Sequence, residues 1–223
     1  MERYNLAFLT KEIYNSGFKL FSLKTLREVL AIEKESTLFK VVKNLLENEV
    51  LIKIERGKYL LKESKVSDFA LANFIYQPSY ISFESALNFY GILSQFPYEV
   101  TSATSKKTKE KIFQGKVFTF THIKKELFWA YQKKQDFIIA FPEKALLDQL
   151  YLTVKGYKRA NLDEYNLEGL DVFRLKEYFK KYPKTRQCEK MAELIKKYVK
   201  IWLPKKNKIW LGEDKLRFVE IKR

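Results

Sequence analysis

The chain has 223 residues, enough for one large or two modest domains, and 46% hydrophobic with 16% aromatic residues gives ample material for a core. A formal net charge of +16 biases it strongly towards polyanions. Cys188 is the single cysteine, so an internal disulfide is excluded and a reducing compartment fits. The first residues, Met1-Glu2-Arg3-Tyr4-Asn5, lack the basic start and apolar run of a secretory signal. No apolar stretch approaches the roughly 18 residues of a membrane span, so a cytoplasmic protein with no membrane partner is expected.

Residues 1–20 read as an opening helix in which Leu6, Leu9, Ile13 and Tyr14 pack beneath residues 21–61. Ser22 stands where an N-cap belongs, and Leu23, Leu26, Val29 and Leu30 recur at helical spacing. Glu33-Lys34-Glu35 breaks that helix and Ser36 is placed to cap the next. There Leu38, Val41, Val42, Leu45 and Leu46 project to one side, while Ser36, Thr37, Lys40, Lys43, Asn44 and Glu47 occupy the other arc. Val50–Glu55 is β-branched and alternating, Gly57 permits a tight turn, and Lys58–Leu61 returns as a second strand. Two helices and then a hairpin is the order of a winged helix-turn-helix, which sets one helix in the DNA major groove and a basic hairpin beside it. The candidate DNA-binding residues are therefore Ser36, Thr37, Lys40, Lys43 and Asn44 on the helix, with Arg56 and Lys58 flanking the hairpin tip. The competing reading is that two amphipathic helices and a hairpin occur in many folds, where such an arc is simply a solvated face.

Charge is spread unevenly. Residues 1–66 hold 13 Lys+Arg and 9 Asp+Glu, a net of +4, which leaves +12 for the other 157 residues. The domain boundary is expected at the polar joint Ser64–Ser67, giving a DNA-binding domain over 1–66 and a mixed α/β domain over 67–223 with a helical, basic C-terminus. In that second part Phe69–Tyr76 reads as a helix stopped by Gln77-Pro78, Tyr80–Ser82 as a short strand, and Phe83–Tyr90 as a helix ending at Gly91. Tyr98–Ser105 reads as a strand, Lys106–Lys111 as a charged bend, Lys116–Thr121 as a half-buried strand and Phe137–Phe141 as a central strand. Pro142 opens the next helix, with Glu143 in its first turn. Val172–Tyr182 and Lys184–Trp202 complete the helices. The last of these carries a stripe of Cys188, Met191, Ala192, Ile195, Tyr198, Val199 and Trp202. Its remaining faces bear Arg186, Lys190, Lys196, Lys197 and Lys200. That basic surface suits nucleic acid or an anionic membrane surface; the plainer reading is a docked stripe with solvated lysines. The tail 203–223 is apolar enough to add strands.

Catalysis is not expected. His122 is the only histidine, no metal-ligand cluster is evident, and the seven glycines form neither a phosphate loop nor a dinucleotide fingerprint. No metal or cofactor is called for.

Pro78-Ser79-Tyr80-Ile81-Ser82-Phe83-Glu84-Ser85-Ala86-Leu87, Tyr90-Gly91, Pro97, a Thr-rich strand, Phe113-Gln114-Gly115 and Pro142-Glu143-Lys144-Ala145-Leu146-Leu147-Asp148 succeed one another in the second part. With the Arg56-Gly57-Lys58-Tyr59 turn, this run over residues 5–154 resembles the AbiEi family of antitoxins, transcriptional regulators of type IV toxin–antitoxin and abortive-infection systems. The resemblance implies an autorepressor that binds inverted repeats of double-stranded operator DNA at its own promoter. It also implies a C-terminal domain that neutralises a nucleotidyltransferase-fold toxin, directly or indirectly. Two alternatives stand beside it: an interaction protein whose basic C-terminal domain binds the toxin or its RNA substrate, and a winged-helix regulator with no toxin. Within the Pro142 block, Lys144 and Asp148 stand four apart, where a helix pair is worth about 0.2–0.5 kcal/mol, and Ala145, Leu146 and Leu150 read as core.

Overall fold

Two hydrophobic clusters organise residues 5–199, the range that the computed structural model describes. The chain is α+β, with eight α-helices and two sheets among the described residues.

The first cluster is built from both kinds of element. Helix α1 (Leu6–Asn15) starts on the Asn5 side chain, which accepts from the Ala7 amide at 3.0 Å, and buries Leu9 and Ile13. It is shorter than the expected opening helix. Gly17, at φ +69°, turns the chain away, Tyr14 stays exposed, and Leu20–Ser22 becomes strand β1. Helix α2 (Leu23–Val29) is capped by Ser22 as expected, its hydroxyl accepting from the Thr25 amide at 3.0 Å. Helix α3 (Glu35–Glu47) departs from the expected start: Lys34 is its N-cap and makes no side-chain bond, so Ser36 lies inside the first turn. Glu35 in that turn places negative charge at the positive helix end instead. Strands β2 (Leu51–Glu55) and β3 (Lys58–Leu61) then form the hairpin, and β1 joins on the far side of β3, all antiparallel.

Strand alternation makes this small sheet a shared wall. Phe21, Tyr59, Leu51 and Leu61 face the first cluster, with Leu26, Leu38, Val42 and Leu45. The opposite row, Leu20↔Leu60↔Ile52, packs with Ile54 against the second cluster. Both faces are covered, so a one-residue slip would exchange the two apolar sets.

The second cluster surrounds a six-stranded sheet. Helix α4 (Asp68–Ile75) is capped by Ser67. It is followed by β4 (Ser79–Ile81), α5 (Phe83–Phe89), β5 (Val100–Thr104), β6 (Lys109–Phe113), β7 (Lys116–His122), β8 (Tyr131–Lys134) and β9 (Phe137–Ala140). The sheet order is β6-β7-β5-β4-β9-β8, parallel at β4–β9 and β5–β7 and antiparallel elsewhere. The uninterrupted apolar run Phe137–Ala140 sits between two neighbours, as its composition requires. The charged bend is confined to residues 105–108, because Lys109–Phe113 pairs with β7 as an edge strand, Lys109 exposed and Lys111 half-buried.

Helix α6 (Pro142–Val154) begins with proline in its first turn and is buried from Glu143 to Leu152. It packs against α5, against α7 (Val172–Phe179) and against α8 (Arg186–Tyr198). Each of Leu146, Leu147, Leu150 and Leu152 is almost wholly removed from water, worth about 1.5–3 kcal/mol apiece. Helix α7 stops three residues short of the expected end, and α8 starts at Arg186 behind a Thr185 cap. The stripe Cys188, Met191, Ile195 and Val199 is buried. The Lys200 and Trp202 positions and the strands expected in the tail lie outside the described residues.

Candidate nucleic-acid interface

Helix α3 shows one buried side and one open side. Leu38, Val41, Val42 and Leu45 are buried. Ser36, Lys40, Lys43 and Glu47 are exposed on a single line at helical spacing, with Thr37 and Asn44 half-buried at its border. The Asn44 side-chain oxygen accepts from Asn48 Nδ2 at 2.8 Å, which leaves its own amide hydrogens free to donate. Lys43 lies 3.6 Å from Glu47, one turn on, so part of its charge is answered within the helix. Lys40 has no such partner in the same line, and its ammonium is the plainest cation of the arc.

Phe39 is an addition to the expected surface. It is 49% exposed and stands between Ser36 and Lys43 on the open line. The signal for it lies in the spacing: Phe39 is out of step with the stripe Leu38, Val41, Val42 and Leu45, so it falls on the polar arc.

The hairpin tip is tied to the helices beneath it. The Leu23 amide donates to the Gly57 carbonyl at 3.1 Å, and a side chain at Gly57 would meet Leu23 at 3.4 Å. Gly57 has φ +75°, which a tight turn requires. Arg56 is exposed at the tip. Lys58 is placed differently from the expectation. Its ammonium donates to Glu55 at 2.8 Å and to the Ile75 carbonyl, and it lies 5.8 Å from the Phe74 ring. It therefore joins the hairpin to α4 and is not offered at the tip. Lys111 of β6 reaches the same Glu55 at 2.8 Å. Burial pushes the Glu55 carboxyl up, but the hydrogen bonds from Lys111 and Lys58 outweigh it and hold the group below its ordinary range.

The C-terminal basic residues form a looser surface. Arg186, Lys190, Lys196 and Lys197 are exposed on α8, away from its buried stripe. Glu189 and Glu193 are interleaved with them, so among the described residues of α8 the cationic face is interrupted.

A second polar constellation lies in the core, where the sequence pattern suggests only a helix pair. Asp148 accepts from Tyr80 and Ser82 at 2.9 Å on one oxygen, and from Lys144 and from Tyr182 at 3.1 Å on the other. Lys144 and Asp148 are 0% and 1% exposed. The Lys144 ammonium also faces the rings of Trp129, Tyr80 and Tyr182 at 5.0–5.8 Å. Burial pushes the Lys144 ammonium down against the pull of Asp148. Burial, reinforced by Asp148, pushes both tyrosines well up. Each of these groups is already bonded and shielded from water, so the arrangement clamps β4, α6 and the end of α7 together rather than offering a reacting atom.

Comparison with protein-family models gives no match, and comparison with curated proteins gives none. Among the described residues no helix is long and apolar enough to cross a membrane, and no group of three His, Cys, Asp or Glu is placed to hold a metal ion.

Proposed function

We propose that the chain is a DNA-binding regulator whose first module is a winged helix-turn-helix and which acts by binding rather than by catalysis. The observation that carries this reading is the open line of α3, where hydroxyl, amide and ammonium groups stand opposite a fully buried apolar side, followed at once by a hairpin with exposed Arg56. In this reading Ser36, Thr37, Lys40, Lys43 and Asn44 enter the major groove, Phe39 meets a thymine methyl, and Arg56 reaches the backbone or minor groove. Lys58 holds the wing to the second module.

The finer proposal, supported by the AbiEi resemblance of residues 5–154, is an autorepressing antitoxin of a type IV toxin–antitoxin pair that binds inverted repeats at its own promoter. Its partner would be a nucleotidyltransferase-fold toxin.

The test is a salt titration of the full chain on its own promoter. Each phosphate contact removed lowers the slope of log affinity against log salt by about 0.9. Replacing Lys40, Lys43 and Arg56 by Ala should weaken binding and flatten that slope by two to three such contacts. Unchanged affinity and slope would end the DNA-binding reading. A reading frame for a nucleotidyltransferase-like protein beside the gene, with growth rescue on co-expression, tests the antitoxin proposal separately.

A further inference from the structure

The short basic loop between β5 and β6 is more firmly held than a solvated bend needs to be. Tyr76 Oη donates to the Lys107 carbonyl at 3.1 Å, and His122 Nδ1 donates to the Lys106 carbonyl at 2.8 Å. The Lys106 amide donates to Thr104 Oγ1 at 3.2 Å, and the His122 amide donates to Thr108 Oγ1 at 3.0 Å. Two successive carbonyls are thus engaged by side chains from outside the loop. Since a carbonyl only accepts, His122 carries its proton on Nδ1 and leaves Nε2 free.

Two lysines, one in the loop and one at the start of β6, share an aromatic neighbour. The Lys106 and Lys109 ammoniums lie 5.8 and 5.2 Å from the centroid of the same Tyr76 ring. Tyr76, Ser105, Lys106, Lys107, Thr108 and His122 line an open cleft of about 640 Å³, with no carboxylate among them. On β6, Glu110 pairs across to Thr119 and alternation sends it to the face opposite Lys109. Glu55, on the Lys109 side of the strand, is shared by Lys58 and Lys111, and Lys109 lies beside Lys111. Lys106 and Lys107, with no acid among the residues that line the cleft and with Lys109 over the same ring, form a site for an anion.

We propose that this cleft binds a small ligand carrying two or more linked phosphates, such as a nucleoside diphosphate or triphosphate. Lys106, Lys107 and Lys109 take the phosphate oxygens, the Ser105 and Thr108 hydroxyls donate to them, and His122 Nε2, an acceptor in this tautomer, receives a hydroxyl of the ligand. The proposal uses no residue of α3 or of the hairpin tip, so it stands or falls apart from the DNA-binding reading.

The experiment is calorimetric titration of the full chain with ADP, GTP and pyrophosphate. Wild type should bind, and K106A/K107A/K109A should lose at least about tenfold in affinity, as expected for charge-assisted hydrogen bonds. K40A/K43A should bind as wild type does. Y76F, which keeps the ring but releases the Lys107 carbonyl, should weaken binding several-fold while leaving the thermal transition in place. Tighter binding of the nucleotides than of pyrophosphate assigns a nucleotide; equal binding assigns the polyphosphate alone. The proposal is overturned if wild type binds none of the three probes at millimolar concentration, or if the triple variant binds them unchanged. It is equally overturned if the triple substitution affects only duplex DNA.

Discussion

Helices α3 and α6 each carry a lysine with an acid four residues on. Lys43 and Glu47 lie 3.6 Å apart with side chains 76% and 61% exposed, whereas Lys144 and Asp148 are bonded at 0% and 1%. The spacing alone makes both pairs neighbours on a helix face. What differs is everything around them. On α3 the pair competes with water and free rotamers, and its contribution is a few tenths of a kcal/mol. On α6 three hydroxyls and three aromatic rings complete the shell, so neither charge can be removed without stranding the rest. Identical local patterns thus serve opposite ends: one leaves its charges open to a partner, the other fixes the centre of the second module.

That contrast can be broken at several points. The largest effect is expected for Asp148→Ala, which strands the buried Lys144 ammonium and three hydroxyls; chemical denaturation should show a loss of about 3–5 kcal/mol. A loss near that of a surface substitution would mean that water reaches the cluster. Next comes Leu60→Ala, at the wall between the clusters, with an expected cost of about 2–4 kcal/mol in the same measurement. Glu55→Gln should cost about 1 kcal/mol, because it uncouples Lys58 and Lys111 from the hairpin. This variant also has a pH signature. A carboxyl held below its ordinary value of 4.5 contributes stability above that value, and the contribution fades as pH falls through the lower folded one. Between about pH 6 and pH 3 the wild type should therefore lose more stability than E55Q does. Parallel curves would place the Glu55 carboxyl outside the link. The smallest effect belongs to K43A/E47A, where denaturation should detect no more than about 0.5 kcal/mol.

Much of the architecture is readable from short-range signals. The Ser22 cap, the Leu38–Leu45 stripe, the Gly57 turn, the Phe137–Ala140 strand and Pro142 at the start of α6 each arise from local chemistry, and each is observed. The elements that escape such signals are set by distant partners. Leu20–Ser22 is too short to announce itself as a strand and exists because β3 pairs with it. Lys109–Phe113 is rich in charge but is drawn into the sheet by β7, and Tyr131–Lys134 is drawn in by β9. Lys58 shows the same limit at a candidate site: it flanks a hairpin tip in the sequence, yet the Ile75 carbonyl and Glu55 claim its ammonium. Lys144 and Asp148 read as an ordinary helix pair because nothing within α6 reveals that Tyr80, Ser82 and Tyr182 will close over them.

The small sheet between the clusters has a consequence for the polar joint at its C-terminal end. Lys62, Glu63, Lys65 and Ser67 are exposed, so a protease can reach the backbone there. Cleavage at that point should not release two independent pieces. The row Leu20, Leu60, Ile52 and Ile54, together with the Lys111–Glu55 bridge, still holds one fragment to the other. After limited digestion the two bands seen on a denaturing gel should elute as one peak from a sizing column, and separate peaks would show that the covalent link, not the packed wall, keeps the halves together.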